Sequence, residues 1–121
     1  MQPKPSASDQ RITVDLGLSD AELRDEDAYS RDGHTARTLV RESDLRIVLI
    51  AMRKGASISE HHTDHTASIQ VLTGHIRIRF ADVVSELQAG QLFVLEAGAP
   101  HDVKAEVESS FLLTLGWRDK A

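Results

Sequence analysis

Two neighbouring segments, Ala67 to Thr73 and His75 to Phe80, alternate in character residue by residue, with Gly74 at the pivot between them. Ala67, Ile69, Val71 and Thr73 share one parity against Ser68, Gln70 and Leu72; Ile76, Ile78 and Phe80 share one against His75, Arg77 and Arg79. A period of two suits a strand with one buried face, because successive side chains in a strand point to opposite sides. The pattern recurs in short runs bounded by turn chemistry: Val83 to Leu87, Gln91 to Leu95, His101 to Val107 and Ser110 to Trp117. Leu45 to Met52 is apolar on both parities except at Arg46, which predicts a strand covered on both faces, and Gly55 ends it. Roughly eight or nine short strands at regular spacing predict an all-β sandwich or barrel.

The N-terminal part differs. Residues 1 to 10 contain Pro3, Pro5, Ser6, Ser8 and Asp9 with little to bury, and are expected to form a flexible tail ahead of a single domain over residues 11 to 121. Ile12, Val14 and Leu16 alternate with Thr13 and Asp15, as in a short edge strand. Ser19 and Glu22 have capping-box spacing, and the acidic stretch Asp20 to Asp27 suits the positive end of a helix dipole, so one short helix reaching Tyr29 is expected.

A chain of 121 residues with 40% hydrophobic side chains has room for one core. A net charge of −5, with Lys and Arg scattered singly, speaks against nucleic acid as a partner. Without cysteine, a metal would have to be held by nitrogen and oxygen ligands. No apolar stretch approaches the roughly 20 residues that cross a bilayer, and the polar start is unlike a secretory signal, so a soluble cytoplasmic protein is expected.

Four of the 6 histidines lie between His61 and His75, and His101 follows the turn Glu96-Ala97-Gly98-Ala99-Pro100. Neutral imidazole is the commonest protein ligand for transition metals. Strand parity extended back from Ala67 puts His61 and His65 on the inner face and His62 outside, unless a bend near Thr63 to Thr66 resets it. His101, Val103, Ala105 and Val107 share the inward parity of their strand. A helical reading, with His61 and His65 as a zinc pair, fails because the glutamate after the first histidine is missing and Thr63 and Thr66 disfavour a helix. Glu60, Asp64 and Asp102 are nearby acceptors for a ligand's second ring nitrogen. Arg77 and Arg79 fit a solvated outer face with an exposed His75; His34, beside Gly33, fits a turn; Phe111 and Trp117 fit the core or a subunit contact.

These glycines and histidines resemble the two motifs of the small single-domain cupins. The first motif would start at Gly55, place His61 at the first ligand and end at Gly74; the second would run Gly90, Gly98, His101, with Glu96 where proline is usual. The resemblance covers roughly residues 39 to 115 and implies a double-stranded β-helix, or jelly-roll, barrel and a homodimer; the doubly apolar Leu45 to Met52 strand offers a surface for the second copy. Thr63 stands in place of the family's second histidine and Ala67 in place of its glutamate, so only His61 and His101 carry over.

Two alternatives follow. In one, His65 substitutes for Thr63, and His61, His65 and His101 hold a divalent transition metal (Zn, Fe, Mn, Ni or Cu) with an open position for a small-molecule substrate, as in oxygenase or isomerase chemistry. His65 or His62 would then be the available acid or base. In the other, the pocket binds or senses a small organic molecule without metal, or is vestigial in a structural or storage-type protein. Sensing would work through a partner.

Overall fold

The computed structural model describes residues 12–61 and 64–116, with Glu60 and His61 as backbone only. The expected tail lies outside the described residues. Nine strands are present among them: β1 (His34–Arg41), β2 (Leu45–Met52), β3 (Ser57–His61), β4 (Ala67–Thr73), β5 (His75–Phe80), β6 (Val83–Gln88), β7 (Leu92–Leu95), β8 (His101–Ala105) and β9 (Ser109–Gly116). They form a five-stranded sheet of order β1-β2-β9-β4-β7 and a four-stranded sheet of order β3-β8-β5-β6, packed face to face. Every pairing is antiparallel.

The core lies between the sheets and follows the predicted parity. Ile69 and Val71 of β4, Ile76 and Ile78 of β5, Val103 and Ala105 of β8 and Phe111 of β9 are each at most 3% exposed. Val107 departs from the expectation: β8 ends at Ala105, and Val107 is exposed in the turn that follows. Phe111 is in the core as expected, whereas Trp117 lies outside the described residues.

The N-terminal region corrects the sequence expectation twice. Leu16 belongs to no edge strand; it opens helix α1 (Leu16–Arg24), and residues 12 to 15 precede it outside any element. Asp15 is the N-cap, its Oδ1 accepting from the Leu18 amide at 3.0 Å, so the cap falls four residues before the expected Ser19. Instead of one helix there are two: α1 stops at Arg24, and α2 (Asp27–Asp32) ends on Gly33 at φ 82°. A left-handed residue after a helix favours glycine, since the conformation brings no Cβ penalty there.

Both helices lie on the outer face of the five-stranded sheet. Leu23 of α1 and Tyr29 of α2 bury against Leu49 and Ala51 of β2, with Leu39, Leu72 and Leu112 around them. Leu49 and Ala51, on the second apolar face of Leu45 to Met52, are thus covered by the chain's own helices rather than by a second copy, while Leu45 and Ile47 of that face are half-buried. Polar contacts fasten the layer. Arg24 pairs with Glu108 and donates from Nη2 to Thr73 Oγ1 at 3.0 Å, and Ser110 donates to Asp20 Oδ2 at 3.2 Å. Burial, with Glu108 next to it, raises the Tyr29 phenol above its ordinary value.

Candidate functional site

The order of the strand ends sorts the histidines. β3 ends at His61, β4 begins at Ala67, β5 ends at Phe80, and β8 begins at His101, so these residues share one end of the barrel. His34 opens β1 opposite Met52, and His75 opens β5 opposite Gln88, both at the other end. His75 is half-buried rather than exposed, with Nε2 3.4 Å from Glu86 Oε1.

His101 is the best-defined member. It is 3% exposed and shares the inward parity of Val103 and Ala105, as expected. Its Nδ1 lies 3.2 Å from the Ala99 carbonyl oxygen. That carbonyl can only accept, so the contact is a hydrogen bond when Nδ1 carries a proton, and in the neutral ring that tautomer is the one whose Nε2 coordinates a metal. The turn before β8 therefore orients the ring. Asp102 does not, because Arg79 holds it on the outer face, with Nη2 2.5 Å and Nε 3.1 Å from Oδ2. Arg77 reaches Glu86 at 3.4 Å and Glu106 at 3.3 Å, so both arginines belong to outward ion pairs, as expected.

The backbone of His61 lies directly opposite that of His101 in the β3–β8 pairing. Strict alternation from Ile58, which packs on the core, would have set residue 61 on the opposite parity. The register shifts between Ile58 and His61, and that irregularity changes the pairing. The His61 side chain, and all of His62 and Thr63, lie outside the described residues. His65 sits half-buried in a bend with exposed Asp64, so the bend anticipated near Thr63 to Thr66 exists. Among the described residues, no group of three His, Asp or Glu side chains is gathered for a metal ion. Ala67, 2% exposed, brings a methyl group to the position where cupins carry a glutamate.

Arg46 is visible in the sequence as the exception in an apolar run, where no role follows for it. In the structure it pairs with Leu115, which pairs with Ala67, which pairs with Leu95, making one row across the five-stranded sheet. Arg46 has the parity of Val48, Ile50 and Met52, all in or against the core, so it stands on the inner face at the His101 end. Beside His101 opens a cleft of about 470 Å³ lined also by Arg79, Ala81, Asp82, Pro100 and Asp102.

Two antiparallel sheets packed face to face, with the buried His101 at one end, make a jelly-roll barrel. The comparisons name it: the family model described as a cupin domain, Cupin_2, matches residues 48–115, and the chain belongs to that family. No curated protein matches the sequence. Among solved structures, a conserved protein of unknown function from Streptococcus pyogenes, SPY1581, is 30% identical, with 75% of this chain and 79% of that one covered and a TM-score of 0.67. KdgF from Halomonas sp. is 21% identical over 72% of this chain and 82% of its own, with a TM-score of 0.66. A single-site mutant of salicylate 1,2-dioxygenase from Pseudoaminobacter salicylatoxidans is 17% identical with a TM-score of 0.77, covering 85% of this chain but only 34% of the dioxygenase. The last two likenesses concern the fold alone. No helix among the described residues is long and apolar enough to cross a membrane.

Proposed function

We propose that the His101 end of the barrel holds a divalent transition metal (Zn, Fe, Mn, Ni or Cu) through His61, His65 and His101, and binds or acts on a small organic molecule beside it. The observation that carries this reading is the β3–β8 register, which sets the backbone of His61 opposite buried His101. Directly opposed residues of an antiparallel pair share a face, which supports two imidazoles on one ion, and His65 is the third donor four residues on. The donor set fits: the Ala99 carbonyl beside His101 Nδ1 favours the tautomer that coordinates through Nε2, and the sequence has no cysteine to draw the site towards thiolate chemistry. A bound ion would supply Lewis-acid polarisation of a carbonyl or carboxylate oxygen, which suits oxygenase or isomerase chemistry. The chain's own part is to hold the His101 proton on Nδ1 and to keep water from the inner layer with Leu95, Leu115 and Phe80.

Ala67 favours a second reading, a barrel that binds its small molecule without metal, because its methyl group offers no donor where the family's glutamate would. Metal analysis of protein purified without an affinity tag separates the two. Near-stoichiometric metal that disappears in the His61→Ala, His101→Ala double variant is the expected result. Protein purified metal-free, whose melting temperature does not move when divalent ions are added, would exclude the first reading, since a ligand specific to the native state must stabilise it.

The protein is further proposed to act in the cytoplasm as a two-fold homodimer, paired through β7 rather than β2. β7 is an edge strand whose Leu92 and Val94 are 61% and 59% exposed, and such edges readily pair with another chain. Light scattering should give about twice the 13.3 kDa chain mass, falling to the single-chain mass in Leu92→Lys, Val94→Lys protein. A wild-type mass of one chain at micromolar concentration would refute the dimer.

A further inference from the structure

A cleft of about 580 Å³ opens on the outer face of the four-stranded sheet, a volume that suits a small molecule. Its outward side chains stand in two rows: Ser57, Lys104 and Arg77 are in register across β3, β8 and β5, and Asp102, Arg79 and Val84 across β8, β5 and β6. Ser59 completes the β3 wall. The lining carries three cations and one carboxylate, in a chain whose net charge is −5. Arg79 holds Asp102, and Arg77 is held by Glu86 and Glu106, so both arginines are already in ion pairs and Asp102 is neutralised. Lys104 differs. It is exposed, and its ammonium makes no ion pair or hydrogen bond among the described residues; the exposed Ser57 and Ser59 hydroxyls make none there either. Directly opposed residues of an antiparallel pair bring their Cβ atoms to roughly 5 Å of each other, so one anion can meet Lys104 and Ser57 together. An ammonium binds phosphate as a compact point charge, whereas a carboxylate is matched by the planar fork of an arginine.

We infer that this outer cleft is a ligand site in its own right and takes a small phosphate monoester, with Lys104, Ser57 and Ser59 on the phosphate and the organic body towards Val84. Val84 is 52% exposed and is the apolar lining residue of outward parity, whereas Ile58 and Val103 pack on the core side. Arg79 and Asp102 line both this cleft and the one beside His101, so their ion pair is the wall between the two. The site therefore requires neither a metal nor any of the histidines.

Amide NMR titrations of the full chain test the inference, with chelator present so that no metal captures the probe. Phenyl phosphate should give saturable shifts centred on Ser57, Ser59, Val84 and Lys104, half-complete below about 1 mM. Inorganic phosphate should shift Ser57, Ser59 and Lys104 without Val84 and bind about fivefold more weakly, for want of the apolar contact. Benzoate, with the same ring on a planar anion, should bind at least about tenfold more weakly. Lys104→Gln should weaken phenyl phosphate at least about tenfold, the scale of a charge-assisted hydrogen bond, and Ser57→Ala about threefold. Both positions are exposed, so the melting temperature should stay near that of the wild type. Lys54→Gln, which changes an exposed lysine outside the cleft, should bind as the wild type does. Binding unchanged in Lys104→Gln, binding weakened as much in Lys54→Gln, shifts centred on His101, or no saturation by about 10 mM would overturn the site. Inorganic phosphate as tight as phenyl phosphate would overturn the ester, and benzoate as tight would overturn the phosphate.

Discussion

Gly74→Ala is expected to destabilise the barrel by at least about 3 kcal/mol, a large part of the roughly 5–15 kcal/mol that holds a typical domain together. Two effects add. At φ 85° the residue is in the left-handed region, which costs a residue with a Cβ about 1–2 kcal/mol. A Cβ there would also collide with Ser109 Oγ and the Glu108 carbonyl oxygen and come within 2.8 Å of Ser109 Cα, so backbone must move. The atoms it would displace are engaged. The fully buried Ser109 hydroxyl accepts from the His75 amide at 3.0 Å and lies 2.7 Å from the Val107 carbonyl, to which it donates. The β4–β5 turn is thereby locked to the β8–β9 turn. Gly90→Ala is the control: Gly90 has φ 88° with open space where a Cβ would stand, so only the backbone penalty of about 1–2 kcal/mol is expected. Urea denaturation of both variants reads the difference. Equal losses would show that crowding at Gly74 is without consequence.

Gly74 also illustrates how far the sequence can be read. The pivot between two alternating runs is plain, and the alternation correctly assigns Ile69, Val71, Ile76, Ile78, Val103 and Ala105 to the inner face. Alternation is informative there because both parities are long and chemically distinct. Before Leu16 it misleads, since three apolar residues in five suit a strand or the approach to a helix, and Asp15 decides the matter by capping the Leu18 amide. The second apolar parity of Leu45 to Met52 is equally visible, but what covers it is not. Whether a partner or the chain's own helix fills such a face depends on packing between residues far apart in sequence, such as Leu23 and Leu49.

The site is legible in part for the same reason. His101 follows from parity on its own strand and is buried as expected. For His61, parity carried across a turn has no sound support, because the irregular register after Ile58 and the bend at Asp64 and His65 each break the count, and its side chain lies outside the described residues. What joins His61 to His101 is a long-range pairing that no local pattern encodes. Arg46 is the opposite case: its signal, a lone charged residue on the core parity of an apolar strand, is in the sequence and needs only the sheet order to gain meaning.

Leu23→Ala should cost about 3 kcal/mol and lower the melting temperature by on the order of 10 °C. Leu23 is 0% exposed and packs on Tyr29, Leu49 and Ala51, so truncation leaves a void that two short helices and a sheet can close only in part. Leu18, on the same helix but 58% exposed, is the control, and Leu18→Ala should leave stability within about 0.5 kcal/mol of the wild type. The dependence on protein concentration adds a second reading. If the outer face of β2 is covered within each chain, the Leu23→Ala loss is the same at all concentrations; if a second copy covered it, mass action would make the loss concentration-dependent. A Leu23→Ala protein as stable as the wild type would mean that α1 contributes no core, and the outer layer over Leu49 and Ala51 would then need another cover.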